Sequence, residues 1–142
     1  MTHEFTYRRR VEFAETDAAG VAHFAGFFRW MEEAEHAFYR SVGGSAYREG
    51  PHGIGGMPRA AASCEYLRPV RYGEELDVRL VVREMTERSI SYVVEFRREE
   101  AELVARGSMR VVHVERPHGV REWRVTDLPA VLRAEIEPAP GT

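Results

Sequence analysis

Glu15-Thr16-Asp17-Ala18-Ala19-Gly20-Val21-Ala22-His23-Phe24-Ala25-Gly26-Phe27-Phe28-Arg29-Trp30-Met31-Glu32-Glu33-Ala34 decides the reading of this sequence. It runs from a small-residue turn holding one carboxylate, Asp17, into an aromatic-rich periodic segment. Phe24, Phe27, Phe28, Met31, Ala34, Glu35, Phe38 and Val42 recur at three- and four-residue steps, which predicts a long helix of about 19 residues, roughly 28 Å. Gly43-Gly44 ends it, because the left-handed conformation after a helix favours glycine. Free backbone N–H groups at the positive end of such a helix can polarise a carbonyl oxygen. A carboxylate beside them can activate water or attack an acyl carbon. Gly20 and Gly26 would let a ligand come close to the backbone. Asp17 as a plain turn or cap residue is the competing reading.

Before this stretch, Phe5, Tyr7, Arg9, Val11 and Phe13 share one parity, the pattern of a strand with one buried face. Residues 43–57 are glycine-rich and are expected to form a mobile connection that either gates substrate or merely links elements. Four strand patterns follow: Arg59 to Leu67, Leu76 to Arg83, Ser89 to Phe96, and Leu103 to Val114. The last alternates poorly, since Val104, Val112 and Val114 are apolar on the second parity. Short linkers make these strands antiparallel neighbours. Thr126 or Asp127 is placed to cap a short helix reaching Leu132, with Pro129 near its start, and residues 137–142 are expected to fray. The fold class is therefore α+β within one domain, residues 1–142. One helix does not cover five strands and their edges, so a homo-oligomer is expected.

The 142 residues carry a net charge of −3 and 44% hydrophobic positions, an ordinary globular composition. No apolar run approaches a membrane span, and no secretory signal is visible after Arg8-Arg9-Arg10. All 20 basic residues are arginine, so lysine Schiff bases and lysine-bearing phosphate loops are excluded. The six histidines show no zinc spacing, and the slightly acidic balance argues against nucleic acid. One cysteine, Cys64, excludes an internal disulfide, fits a cytoplasmic protein and reads as a buried packing thiol.

Asp-x-x-Gly-Val followed by aromatics and Trp30-Met31-Glu32-Glu33-Ala34 resembles the 4-hydroxybenzoyl-CoA thioesterase family of hot-dog-fold proteins. It is similar also to the Tol–Pal-associated acyl-CoA thioesterases and the 1,4-dihydroxy-2-naphthoyl-CoA hydrolases. Tyr66-Leu67-Arg68-Pro69-Val70-Arg71-Tyr72-Gly73-Glu74-Glu75-Leu76 and Arg88-Ser89-Ile90-Ser91-Tyr92 resemble later family segments. The resemblance implies a hot-dog fold, one long helix wrapped by a five-stranded antiparallel sheet. It implies dimers or tetramers with active sites at the subunit interface, and an acyl-CoA thioesterase without metal or other cofactor. Asp17 matches the catalytic carboxylate, Phe24 the backbone N–H that holds the thioester oxygen, and Arg88 and Ser89 the coenzyme A contacts. Tol–Pal-associated members tend to have His at the position of Phe24 and Tyr at that of His23. Here the imidazole comes one residue earlier, and His23 either bonds substrate or faces the interface.

Further candidates have plainer readings. Ser63 is expected to face a pocket beneath the helix. Arg68, Arg71, Arg88 and Arg106 suit coenzyme A phosphates, although each alone reads as surface charge. Glu35 lies on the apolar parity of the helix and is expected as a solvated or interface carboxylate. Two other functions stay open: hydrolysis of acyl groups on a carrier protein, and a non-catalytic acyl-CoA-binding module.

Overall fold

In the computed structural model, which describes residues 1–99 and 101–141, a strand β1 (Glu4–Arg10) leads through a single 3-10 turn (Phe13–Glu15) and the Asp17 loop into helix α1 (Gly26–Ser41). A hairpin follows, β2 (Tyr47–Gly50) and β3 (Gly53–Gly56). Then come β4 (Arg59–Tyr66), β5 (Glu75–Met85), β6 (Ser89–Arg98) and β7 (Glu102–Val112). β8 (Val114–Pro117), β9 (Arg124–Val125) and a short helix α2 (Ala130–Glu135) complete the chain. β1, β5, β6, β7 and β4 form one antiparallel sheet in that order, and β2, β3, β8 and β9 form a second. The strand patterns after residue 58 and the antiparallel order match the sequence expectation. Among the described residues, no helix is long and apolar enough to cross a membrane.

The alternation decides which face of the large sheet is buried. Leu76, Val78, Leu80 and Val82 of β5 and Ile90, Tyr92, Val94 and Phe96 of β6 all point to the core. They meet in register as Val78 with Phe96 and Leu80 with Val94. Trp30, Met31, Ala34, Phe38 and Tyr39 of α1 cover them, and Phe5 of β1 stacks on Phe38 at 5.7 Å. Gly107 marks the closest approach. A Cβ there would lie 2.7 Å from Met31 Sδ and 3.0 Å from the Ser63 carbonyl, so a larger residue would have to displace the Met31 side chain.

Several expectations need correction. The helix begins at Gly26, not Phe24, and has 16 residues. The His23 ring nitrogen Nδ1 accepts the Ala25 N–H (3.2 Å), and Phe24 is turned outward, 61% exposed. Phe13 is 74% exposed, because β1 ends at Arg10 and the following turn carries its ring out to an edge contact with Tyr72. The glycine-rich segment is a hairpin, and Gly55 explains part of its composition. Arg48 lies across Gly55, where a Cβ would stand 2.6 Å from its guanidinium, and reaches His113 Nε2 at 2.7 Å. The run after Leu103 divides at His113, sending Val114 into the second sheet. Residues 137–139 do not fray: Glu137 N–H donates to the Thr2 carbonyl and Ala139 N–H to the Val82 carbonyl. Thr142 lies outside the described residues. Neither Thr126 nor Asp127 caps α2, which follows Pro129 without a side-chain cap. Thr126 bonds His113, and Asp127 pairs with Arg88 at 3.2 Å. Cys64 is half-buried on an edge strand, where burial pushes its thiol up to about 11.

Glu35 is the largest correction. It is fully buried, not solvated: Tyr39 O–H donates to Oε2 (2.7 Å), Tyr92 O–H donates to Tyr39 (2.9 Å), and Arg59 Nη2 lies 2.8 Å from Oε1. Burial pushes the Glu35 carboxyl up, and the Arg59 charge opposes that shift. The pair is an electrostatic contact joining α1 to β4. Arg59→Met alone strands a buried carboxylate and is expected to cost about 3–5 kcal/mol, whereas Glu35→Leu with Arg59→Met recovers most of the loss. Urea midpoints of the three proteins check this.

His113 is buried between β7 and β8, where the chain passes from one sheet to the other. Arg48 can only donate, so Nε2 accepts and Nδ1 carries the proton toward Thr126 Oγ1 (3.0 Å). Burial first, and the Arg48 charge second, lower the His113 pKa from 6.5. The fold therefore binds this proton less tightly than the unfolded chain does. The stabilisation is complete above pH 6.5 and is lost as the pH falls below it. Melting temperature should drop between pH 6.5 and 5.5, and His113→Gln should flatten that drop.

Candidate active site

The Asp17 loop is a short closed ladder. His23 N–H donates to the Glu15 carbonyl (2.8 Å), Thr16 bridges Ala22, and Asp17 N–H donates to the Val21 carbonyl (3.0 Å). At the tip, Gly20 N–H returns to the Asp17 carbonyl (2.9 Å) with φ +81°, a conformation that disfavours side chains. Ala19 N–H donates to Asp17 Oδ1 (2.9 Å). Asp17 Oδ2 has no hydrogen-bond partner among the described residues, and the side chain is exposed.

Asp17 borders an open hollow of about 350 Å³ with Phe24, Phe27, Tyr66, Leu67 and Arg68. Tyr66 O–H donates to the Phe24 carbonyl (2.8 Å), and its ring meets Phe27 edge-on at 5.1 Å. The Phe24 N–H bonds no acceptor among the described residues, and it stands just ahead of α1, where the helix dipole is positive. Asp17 and Phe24 therefore border one recess. Such an arrangement can bind a carbonyl oxygen and bring a base or nucleophile to its carbon.

The far wall depends on a bulge. Phe96 pairs with Ala105 and Arg97 with Leu103, leaving Val104 as the extra residue. Val104 is buried beside Ala105, which accounts for the broken alternation of β7, and its carbonyl accepts both Leu67 and Arg68 N–H (2.9 and 3.0 Å). A β-bulge thus positions the turn that borders the hollow.

The candidates do not all converge here. Asp17, Phe24 and Arg68 border the hollow; Gly20 shapes the loop, with nothing within 4 Å of an added Cβ. The His23 imidazole accepts the Ala25 N–H just ahead of α1, its ring 4.5 Å from that of Phe24. Ser63 is exposed on β4 and bonds Ser108 (2.7 Å); it does not border this hollow. Arg88 lies in the β5–β6 turn and Ser89 opens β6, held by Asp127 and Thr86 respectively. Arg71 and Arg106 also lie outside the hollow. Among the described residues, no group of three or more His, Cys, Asp or Glu could hold a metal ion.

Sequence reading missed Glu15. Its carboxylate accepts Glu12 N–H (2.8 Å), Trp30 Nε1–H (2.9 Å) and two guanidinium nitrogens of Arg9 (2.8 and 2.6 Å). Burial pushes this carboxyl up, but the bonds from Glu12, Trp30 and Arg9 outweigh it and hold the group below the usual range. A signal was present: Arg9 stands on the buried parity of β1, and a buried arginine requires an acid.

Residues 11–136 match the model of the thioesterase-like superfamily. A 1,4-dihydroxy-2-naphthoyl-CoA hydrolase of Synechococcus is 34% identical over 120 residues, 80% of this chain and 78% of that protein. A 4-hydroxybenzoyl-CoA thioesterase of Pseudomonas is 24% identical over 91 residues, 63% of this chain and 64% of that protein. The solved structure of a 1,4-dihydroxy-2-naphthoyl-CoA thioesterase from Synechocystis superposes with a TM-score of 0.77 at 24% identity, covering 92% of this chain and 93% of the other. With its helix cradled by an antiparallel sheet and that match over most of its length, the chain belongs to the thioesterase-like superfamily and has the hot-dog fold.

Proposed function

We propose that this protein hydrolyses an acyl or aroyl thioester of coenzyme A to the free acid and coenzyme A. The observation that carries the reading is the shared hollow, bordered both by Asp17 and by Phe24, whose N–H bonds no acceptor among the described residues and which stands just ahead of α1. The thioester oxygen accepts from Phe24 N–H, and negative charge developing there is stabilised by that donor and the helix dipole. Asp17 then either adds to the acyl carbon, expelling the thiolate and leaving an anhydride for water to open, or takes a proton from an attacking water. A thiol of pKa about 8.5 leaves readily as its thiolate, so the step needs no histidine acid and no cofactor beyond the coenzyme A of the substrate. His23, whose Nδ1 is engaged by the Ala25 N–H, is not called on.

The exposure of Asp17 beside an open recess favours a reactive carboxylate over a purely binding module. Release from a carrier protein remains the rival reaction and uses the same residues. We also infer that copies of the chain associate through β4. Among the described residues that strand pairs only with β7, and Ala60, Ala61, Ala62 and Ser63 present a small-residue, exposed edge. Arg88 and Ser89 reach a substrate in such an assembly only from a neighbouring copy, since neither borders the hollow of its own chain.

Steady-state hydrolysis of aliphatic and aromatic acyl-CoAs, with acyl carrier protein thioesters in parallel, tests the reading. Wild type should turn over at least one acyl-CoA, and Asp17→Asn should lower kcat about 10²–10⁴-fold with little change in KM. Inactivity of wild type on every acyl-CoA removes the reaction. Full activity of Asp17→Asn removes the site. Turnover confined to carrier-bound substrates selects the rival.

A further inference from the structure

The acid and the backbone donor sit on different supports. Asp17 rides on the ladder of residues 15–23, whereas the positive end next to Phe24 belongs to α1. Their mutual geometry holds only if ladder and helix are locked together; the Gly26 N–H bond to the His23 carbonyl (3.0 Å) joins them along the backbone, and the Glu15 side chain ties them across it. The Glu15 carbonyl closes the ladder through His23 N–H (2.8 Å), and Phe24 follows His23 directly. The Glu15 carboxylate, its side chain 9% exposed, accepts the indole N–H of Trp30, a fully buried residue in the second turn of α1. Arg9 grips the same carboxylate from β1, and its guanidinium also reaches Glu33 Oε1 on α1 (2.7 Å). Strand, ladder and helix thus meet at one side chain.

We propose that Glu15 is a positioning residue that sets the Asp17 carboxylate against the Phe24 N–H. The inference rests on the hydrolase reading. Glu15 touches no part of the hollow and acts through the two groups it holds. Displacement of reacting groups by about 1 Å can cost on the order of 10²-fold in rate. Glutamine has nearly the shape of glutamate but cannot substitute here. Each Glu15 oxygen accepts two donors, Glu12 N–H and Arg9 on Oε1, Trp30 and Arg9 on Oε2. Either orientation of the amide turns an NH2 group against donors.

The test is a double-mutant cycle on a hydrolysed thioester, run well below the melting temperature of every variant. Glu15→Gln should lower kcat about 10–100-fold with KM within about twofold. In the Asp17→Asn background, the same change should produce no further fall, because the group it positions is already gone. Trp30→Phe keeps the ring, removes one donor and should show a smaller fall with the same non-additivity; it carries the test if Glu15→Gln fails to fold. A merely structural Glu15 would lower the melting temperature while leaving kcat per folded molecule unchanged, or would act equally in both backgrounds. Either result overturns the inference with the hydrolase reading intact. Wild-type inactivity on every thioester brings down that reading instead.

Discussion

A single helix of 16 residues, about 24 Å long, must cover one face of five strands whose spacing makes a sheet of roughly 20 Å. That constraint governs the rest of the molecule. It selects large rings for the helix underside, Trp30, Phe38 and Tyr39, because small side chains would leave the sheet uncovered. It favours Gly107 where Met31 descends onto β7. It also brings the helix start to the end of the sheet, where β1 turns and the Val104 bulge holds the β4–β5 connection. The hollow lies where these elements stop, so its walls come from chain ends and turns whose positions the packed core determines.

Much of this was legible in the sequence for a simple physical reason. A sheet buried on one side writes its face in period two, and β5 and β6 keep that period without interruption. The helix was legible through its apolar stripe, but its first turn was not. Phe24 fits the stripe by spacing, yet the bond from Ala25 to His23 and the ladder behind it turn that residue away from the core.

What escaped was set by contacts distant in sequence. Glu35 reads as another helical acid until Arg59 of β4, and Tyr92 of β6 acting through Tyr39 one turn along the helix, close around it. The glycines of residues 53–56 read as flexibility, whereas Gly55 is small because a guanidinium crosses it on the way to His113. Glycine content alone does not separate a loose chain from a crowded one. For the site, the reactive acid was visible as a motif, but its supports were not. Arg9, Glu15 and Trp30 come from three elements, and each has an ordinary local explanation when taken singly.

Cys64 gives the exposed margin of the large sheet a chemical clock. It is the only thiol of the chain, it lies half-buried in β4, and its ionisation is pushed up to about 11, so at pH 7 only about one molecule in ten thousand carries the thiolate there. Alkylation of the folded chain must therefore be slow and must quicken whenever β4 peels from β7 and the sulfur meets water. Its rate therefore reports how well the folded margin shields that one sulfur.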